Sequence, residues 1–311
     1  MKRSEIKNIL IAGGGMMGKN IALVFSSVPE FRITVYDIRP TDVRAGIRLN
    51  CAQLLEKGVL RPEELEERLS RIDFTEDLDS EAVRNADLVV EAVFEDMAVK
   101  RETFAKLEAR CRPDTIFCTN TSVMSPSEIS RELTYRERFV GTHFWNPGHL
   151  IPLVEVVKSD ATSEETAQTV MEVLRDAGKK PVLCKKDVPG FIANRMQHAL
   201  WREAISIVEN GIADAETVDM AVRYSFGLRL PQLGPLENAD MVGTDLTWNI
   251  HDYLLGALED SHRPSPLLTE LKEEGKLGFK TGEGFRKWTP EETAASAAAL
   301  NEYLIRMLYG K

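Results

Sequence analysis

The stretch NILIAGGGMMGKNIALVF, residues 8–25, decides the predicted fold. A short apolar run leads into three consecutive glycines, a fourth follows at Gly18, and the chain then continues with helical character. The spacing of Gly13, Gly15 and Gly18 is GxGxxG, the turn between the first strand and the first helix of dinucleotide-binding βαβ units. Because glycines cluster in many turns, this motif needs support from the sequence around it.

Support comes from Asp37, which ends a second apolar run, RITVYD at 32–37, 19 residues after Gly18. An acidic residue at about this distance binds the adenosine ribose in such units. Its charge would repel a 2′-phosphate, which favours NAD over NADP, although Arg39 nearby could accept that phosphate.

The glycines have separate expected roles. Gly13 permits a tight turn, Gly15 lets the backbone approach a pyrophosphate, and Gly18 lets the helix pack closely against the strand. The helix N-terminus adds N–H donors and a positive dipole for the anionic cofactor. A glycine turn without a ligand is the alternative. We predict NAD-binding positions at Gly13, Gly15, Met16, Met17, Gly18 and Asp37.

The rest of the chain divides into two patterns. The first half alternates helical segments with short apolar runs, at 8–13, 32–37, 87–93, 114–120 and 138–144. This alternation is typical of a parallel sheet covered by helices on both faces. From about Val188 onward the sequence has only helical periodicity. We predict an α/β domain over residues 1–186 and an all-α domain over residues 187–311.

Composition argues against several classes of protein. With 311 residues and a net charge of −10, the chain is long enough for two domains and would be repelled by nucleic acid or an anionic membrane. The apolar run near the N-terminus is short and breaks on glycines, so we expect no signal peptide and a cytoplasmic location. Scattered cysteines without CxxC spacing predict reduced thiols and no metal site. They are Cys51, Cys111, Cys118 and Cys184.

The stretch HFWNPGHLIPLVEVV, residues 143–157, is the candidate catalytic segment. If its two apolar ends are antiparallel strands that pair residue 143 with residue 155, His143 and Glu155 share one face at a Cβ separation of roughly 5 Å. A carboxylate that holds one imidazole nitrogen leaves the other free to take a proton from an alcohol. A structural histidine at a strand end is the alternative from the residues alone.

At this point the sequence resembles the L-3-hydroxyacyl-CoA dehydrogenase family over nearly its whole length, including the 3-hydroxybutyryl-CoA dehydrogenases. Eight motifs in the same order carry the resemblance, whereas any one alone would be weak. They are GxGxxG (13–18), EAVFEDMAVK (91–100), NTS (120–122), HFWNP (143–147), VEVV (154–157), DVPGFIANR (187–195), GPLENADMVGTD (234–245) and GKLGFKTGEGF (275–285). The resemblance implies a Rossmann-like N-terminal domain followed by a helical domain that forms a homodimer.

The resemblance also implies catalytic roles. His143 would be the general base and Glu155 its partner. Ser122 would hydrogen-bond the reacting oxygen of the substrate, and Asn194 would contact His143 or the substrate. Pro189 at a helix start would place Asn194 on the second turn of that helix. Without the resemblance, Ser122 is better explained as a turn or helix-capping residue and Asn194 as an exposed polar residue.

Three further positions match family residues near the nicotinamide: Glu95, Lys100 and Asn120. Glu95 and Lys100 are five residues apart, which does not make them an i,i+4 helical pair. An ordinary surface ion pair therefore explains them poorly, although either side chain could simply be solvated.

The substrate divides the family. The acyl-CoA members carry an NPVPxMKLVE type of sequence where this chain has NPGHLIPLVE, and Ile151-Pro152 is similar to relatives that act on carnitine, gulonate or a pyridine alcohol or aldehyde. Against this, EKGVLRPEELEERLSRI (56–72) resembles the helical hairpin beside CoA, with Lys57 as a possible phosphate contact. We expect a 3-hydroxyacyl-CoA substrate first and a small hydroxy acid second. A third alternative is structural, since the relative lambda-crystallin serves as a lens protein.

Overall fold

The computed structural model describes residues 1–310, which form two compact units. The first contains Met1–Arg195 together with the residues from Ala298 onward, and the second contains Met196–Ala297. The predicted division between residues 186 and 187 stays a prediction. None of the helices within residues 1–310 is both long and apolar enough to cross a membrane.

The first unit is built on an eight-stranded sheet with the order β3-β2-β1-β4-β5-β6-β7-β8. All neighbouring strands are parallel except β6 and β7, which are antiparallel. The strands are β1 (Asn8–Ala12), β2 (Arg32–Tyr36), β3 (Ile72–Thr75), β4 (Leu88–Glu91), β5 (Ile116–Thr119), β6 (Phe139–Phe144), β7 (Leu153–Lys158) and β8 (Lys180–Cys184). The predicted α/β Rossmann-like fold class is confirmed.

Helices cover both faces of this sheet. Alternate residues of β1 point to opposite faces, so Ile9 and Ile11 join one apolar cluster while Leu10 and Ala12 join another. Burial on both faces explains why the central strands are continuous apolar runs. The helices of this unit are α1 (Met16–Phe25), α2 (Val43–Asn50), α3 (Ala52–Glu56), α4 (Pro62–Leu69), α5 (Glu81–Arg84), α6 (Met97–Glu108), α7 (Pro126–Ile129) and α8 (Glu164–Asp176), with 3₁₀ turns at Arg3–Glu5 and Arg136–Arg138.

The second unit is helical, which confirms the all-α prediction for this part of the chain. Gly243, with a φ of 105°, separates two of its helices. The remaining helices of the chain are α9 (Ala193–Glu209), α10 (Ala215–Arg223), α11 (Pro235–Val242), α12 (Thr244–Leu254), α13 (Pro266–Glu273) and α14 (Pro290–Tyr309), with 3₁₀ turns at Phe226–Leu228 and Leu255–Ala257.

Candidate active site

The glycine turn has the geometry that a dinucleotide requires. Gly13 has a φ of 115°, and a Cβ there would lie 2.6 Å from the carbonyl oxygen of Ala92. A Cβ on Gly18 would lie 1.8 Å from the carbonyl oxygen of Gly13, so only glycine allows α1 to pass this close to the turn. A Cβ on Gly15 would meet nothing within 4 Å, and Gly15 immediately precedes α1. The open space at a helix N-terminus fits a pyrophosphate.

Asp37 lies beside this turn, directly after β2. Its Oδ2 accepts a 2.6 Å hydrogen bond from the N–H of Gly14, and its Oδ1 accepts one of 3.0 Å from the N–H of Arg39. Met16, at the start of α1, is 60% exposed, while Met17 packs against the core. The residues present therefore fit the adenosine and pyrophosphate parts of a dinucleotide.

The predicted pairing of His143 with Glu155 is confirmed by the register of β6 and β7. The Nδ1 atom of His143 lies 2.9 Å from Oε2 of Glu155, and both residues are buried. Since an ionised carboxylate can only accept, Nδ1 carries the hydrogen of this contact, and in the neutral ring Nε2 keeps a lone pair. The pair therefore has the arrangement of an imidazole base with an orienting carboxylate.

Glu155 is held by four hydrogen bonds in total. Besides His143, the donors are Nε1 of Trp145 at 3.2 Å and the N–H groups of Ile192 at 2.9 Å and Ala193 at 3.0 Å. Burial is the largest influence on this carboxyl and raises its pKa, but the four hydrogen bonds outweigh it and hold the pKa of Glu155 below its ordinary value. The carboxylate thus stays charged beside His143.

An unusual backbone turn delivers the two N–H donors. Gly190 has a φ of 74° and Phe191 a φ of 51°, a region that non-glycine residues rarely adopt. The ring of Phe191 is buried, and its centroid lies 5.8 Å from that of His143. Because these two residues interrupt the helix, α9 begins at Ala193 and not at Pro189. The expectation that Pro189 starts this helix and places Asn194 on its second turn is therefore wrong; Asn194 lies in the first turn.

Ser122 and Asn194 are brought together next to this turn. Nδ2 of Asn194, which is 8% exposed, donates to the carbonyl oxygen of Ser122 at 3.0 Å. Asn120, two residues earlier, accepts from the N–H of Phe144 at 2.9 Å. The NTS segment after β5 is therefore tied both to the strand that carries His143 and to the start of α9.

Lys100 and Glu95 belong to a second ionic cluster, in which Lys100 is buried and Glu95 is partly exposed. Nζ of Lys100 lies 2.8 Å from Glu91 and 3.1 Å from Glu95, and Lys100 is only 1% exposed. Glu95 in turn accepts from the hydroxyl of Thr121 at 2.6 Å and from the N–H of Ser122 at 2.8 Å. Burial raises the pKa of Glu95, and the hydrogen bonds and the Lys100 charge bring it below the ordinary value. The cluster therefore connects Lys100 to Ser122.

Lys57 lies apart from these residues. It is the residue after α3, and its Nζ forms a 2.9 Å ion pair with Glu302 of α14. This hydrogen bond raises the pKa of Lys57. The predicted phosphate contact stays a prediction.

Sequence reasoning missed four residues of the site: Glu91, Thr121, Trp145 and Phe191. Trp145 could have been detected from the sequence. It lies two residues after His143, and residues two apart at the end of a strand point to the same face. Phe191 carried no comparable signal, since a left-handed conformation is expected of glycine. Within residues 1–310, no group of three or more His, Cys, Asp or Glu side chains could hold a metal ion.

Comparisons with known proteins agree with this geometry. The NAD-binding domain of 3-hydroxyacyl-CoA dehydrogenase matches residues 8–188, and the C-terminal domain of the same family matches residues 190–288. The chain is 39% identical to a probable 3-hydroxybutyryl-CoA dehydrogenase of Bacillus subtilis, over 90% of this chain and 97% of that protein.

A relative with a different activity in its name is similar over a longer part of the chain. The 5-formyl-3-hydroxy-2-methylpyridine 4-carboxylate 5-dehydrogenase of Mesorhizobium japonicum is 33% identical over 98% of this chain and 99% of its own. A crystal structure of an enzyme of that name, described as an NAD⁺-dependent dismutase, superposes with a TM-score of 0.89 at 33% identity, over 98% of this chain and 99% of that one. The chain belongs to the 3-hydroxyacyl-CoA dehydrogenase family and is an NAD-dependent oxidoreductase.

Proposed function

We propose that this protein oxidises a secondary alcohol with NAD and that His143 is the general base. The observation that carries the proposal is the 2.9 Å contact between His143 Nδ1 and a Glu155 carboxylate whose pKa is held low by its donors. An imidazole oriented in this way can accept a proton at Nε2, and the carboxylate stabilises the imidazolium that forms.

The proposed reaction balances as follows. The hydroxyl proton of the substrate passes to Nε2 of His143. The same carbon loses a hydride, and the C–O single bond becomes the C=O double bond of the ketone. NAD, when bound, supplies the hydride acceptor at its nicotinamide. The Ser122 hydroxyl donates to the reacting oxygen. Asn194 keeps Ser122 in place by donating to the backbone carbonyl oxygen of Ser122. In the reverse direction protonated His143 is the acid.

Two groups of residues would hold the cofactor. The glycine turn with Met16, Met17 and Asp37 would take the pyrophosphate and adenosine, as its open space and its carboxylate allow. Glu95, Lys100 and Asn120 would lie near the nicotinamide, because they follow the carboxyl ends of β4 and β5, where ligands bind in open α/β sheets.

For the substrate we propose a small hydroxy acid or pyridine alcohol without CoA, ahead of a 3-hydroxyacyl-CoA. The C-terminal helix α14, which begins at Pro290, lies beyond residue 288, where the match to the family domain ends. Ile305 of α14 is buried in the same apolar cluster as Leu60 and Leu65 of the 56–72 hairpin. Glu302 of α14 pairs with Lys57 on that hairpin, and its negative charge opposes a phosphate there. This order reverses the one expected from the sequence.

An NADH absorbance assay tests the proposal directly. We expect NADH to form from NAD⁺ with a free acid such as carnitine or gulonate or with a pyridine alcohol, and acetoacetyl-CoA to be a poor oxidant of NADH. Turnover confined to CoA thioesters would reverse the substrate order. No turnover with either class would contradict the general proposal.

We also propose that the protein is a homodimer in the cytoplasm. No residue from Met196 to Ala297, all of which the structure describes, is buried, although this unit carries large apolar side chains. Leu236 is 81% exposed, Tyr253 90% and Trp248 65%. Extensive exposed apolar surface is typical of an interface. Sedimentation equilibrium should give a dimer mass, and a monomer at micromolar concentration would contradict the proposal.

A further inference from the structure

Lys179 is a buried lysine that belongs to neither ionic cluster. It follows α8 across Gly178, whose φ of 77° ends the helix, and it is 7% exposed. Its Nζ donates to the carbonyl oxygens of Gly148 at 2.7 Å and Ile151 at 2.8 Å. Burial lowers the pKa of Lys179 to about 8. An ammonium buried on neutral partners costs folding free energy, so its position calls for a reason beyond stability.

Both carbonyls belong to the loop of residues 145–152, which joins the strand of His143 to the strand of Glu155. Trp145 opens this loop. Its Nε1 donates to the same oxygen of Glu155 that His143 contacts, and its ring centroid lies 5.2 Å from that of His143. The position of the loop therefore decides whether Trp145 reaches the carboxylate of Glu155.

The other side of the loop is packed against α1, the helix that follows the glycine turn. A Cβ on Gly148 would lie 3.1 Å from Cβ of Asn20 and 3.3 Å from Cε of Met17. Nδ1 of His149 lies 3.0 Å from Oδ1 of Asn20, which also accepts from Asn50 at 2.8 Å. Burial, with the nearby Lys179 charge, lowers the pKa of His149 to about 4, so this ring is neutral. The loop is thus held between α1 and the Lys179 ammonium.

We propose that Lys179 is a positioning residue for the active site: it holds loop 145–152 by two carbonyls and thereby keeps Trp145 on Glu155, and Glu155 on His143. The expected effect of Lys179 on turnover rests on the proposed function, whereas its contact with the loop does not. Lys179 lies outside the set of side chains that would meet substrate or cofactor, so it acts through the loop.

The test compares Lys179→Met, which keeps the length and removes the donors, with Lys180→Met at the exposed neighbouring position. In Lys179→Met we expect kcat to fall by about tenfold to a hundredfold, the cost of a small misplacement of catalytic groups. The Kd for NAD⁺, from quenching of protein fluorescence, should change by less than about twofold. Hydrogen exchange of the amides in residues 145–152 should speed up in Lys179→Met only.

A double-variant cycle adds a readout that a purely structural role would not move. If Lys179 acts through Trp145, Lys179→Met should lower kcat much less in a Trp145→Phe background than in the wild type. Multiplicative effects would overturn the inference. If Lys179→Met does not fold, Lys179→Gln, which keeps a neutral donor, is measured in the same cycle with the same expectation.

The outcomes separate the two proposals. Unchanged kcat or unchanged loop exchange in the Lys179 variant, with active wild-type enzyme, would overturn the role of Lys179 and leave the dehydrogenase proposal standing. If the wild type oxidises no alcohol, the proposed function fails, and unchanged exchange in the Lys179 variant would overturn the loop contact independently of turnover.

Discussion

Glu155 and Glu91 are both completely buried, yet their environments drive them in opposite directions. Glu155 accepts from His143, Trp145 and two backbone N–H groups, and its pKa is lowered. Glu91 accepts from Lys100, from the hydroxyl of Thr119 at 2.7 Å and from the N–H of Val93 at 2.7 Å. Burial nevertheless raises the pKa of Glu91, because desolvation exceeds the effect of these partners. Burial by itself therefore does not decide the charge of a carboxyl group.

The origin of the donors explains what each glutamate does. Those on Glu155 come from β6, from loop 145–152 and from the start of α9, so this carboxylate joins three segments of the chain around His143. Those on Glu91 come from its own strand end, the next strand and α6. Glu91 mainly neutralises Lys100, whereas Glu155 keeps its charge available for an imidazolium.

The largest expected effect in this comparison is on stability. Lys100→Met leaves Glu91 and Glu95 buried or half-buried without their cation, so the free energy of unfolding should fall by about 3–5 kcal/mol. Denaturant titration measures the free energy of unfolding. Lys106→Met, on the exposed side of the same helix, is the control. Equal stability of the two variants would mean that the cluster is not a coupled unit.

The next effect is on catalysis. Glu155→Gln keeps the shape of the side chain but removes the charge that stabilises protonated His143, so kcat should fall by about tenfold to a hundredfold, as for loss of a charged hydrogen-bond partner. Steady-state kinetics measures it, and Glu132→Gln at an exposed position serves as the control. A kcat within twofold of the wild type would remove Glu155 from the mechanism.

The smallest effect is an opposite response to acid. Since the pKa of Glu155 is lower in the folded state than its ordinary value of 4.5, its ionised form adds stability above that value, and this is lost as the pH falls through the folded pKa. Since the pKa of Glu91 is raised above 4.5, its ionised form reduces stability at neutral pH, and this penalty disappears as the pH falls toward 4.5.

Unfolding titrations of the wild type, Glu155→Gln and Glu91→Gln over a pH series measure this difference. The stability of the wild type relative to Glu91→Gln should rise as the pH falls toward 4.5. Its stability relative to Glu155→Gln should fall below that pH. The same sign for both glutamates would contradict the contrast between them.

Much of the central sheet could be predicted from the sequence. Strands buried on both faces are continuous apolar runs, and the glycine turn between β1 and α1 admits few alternatives. The pairing of His143 with Glu155 was enough to predict the whole register of β6 on β7. A slip by one residue would move every side chain of a strand to the other face, so one correct pair fixes the others.

The remaining parts depend on contacts that no local pattern encodes. The outer strands β3 and β8 are partly exposed and mix polar and apolar residues, so they lack the apolar signal of the centre. The pairing of Glu91 with Lys100 needs the turn between β4 and α6, and the N–H donors on Glu155 need the left-handed backbone of Phe191. Such turns are fixed by tertiary packing.

The most direct test of the central claim is turnover by His143→Gln, measured beside NAD⁺ binding, with His198→Gln at an exposed position as the control. If His143 is the base, the rate of NADH formation should fall by about a hundredfold or more, while the Kd for NAD⁺ stays nearly unchanged. Full activity of His143→Gln would contradict the account.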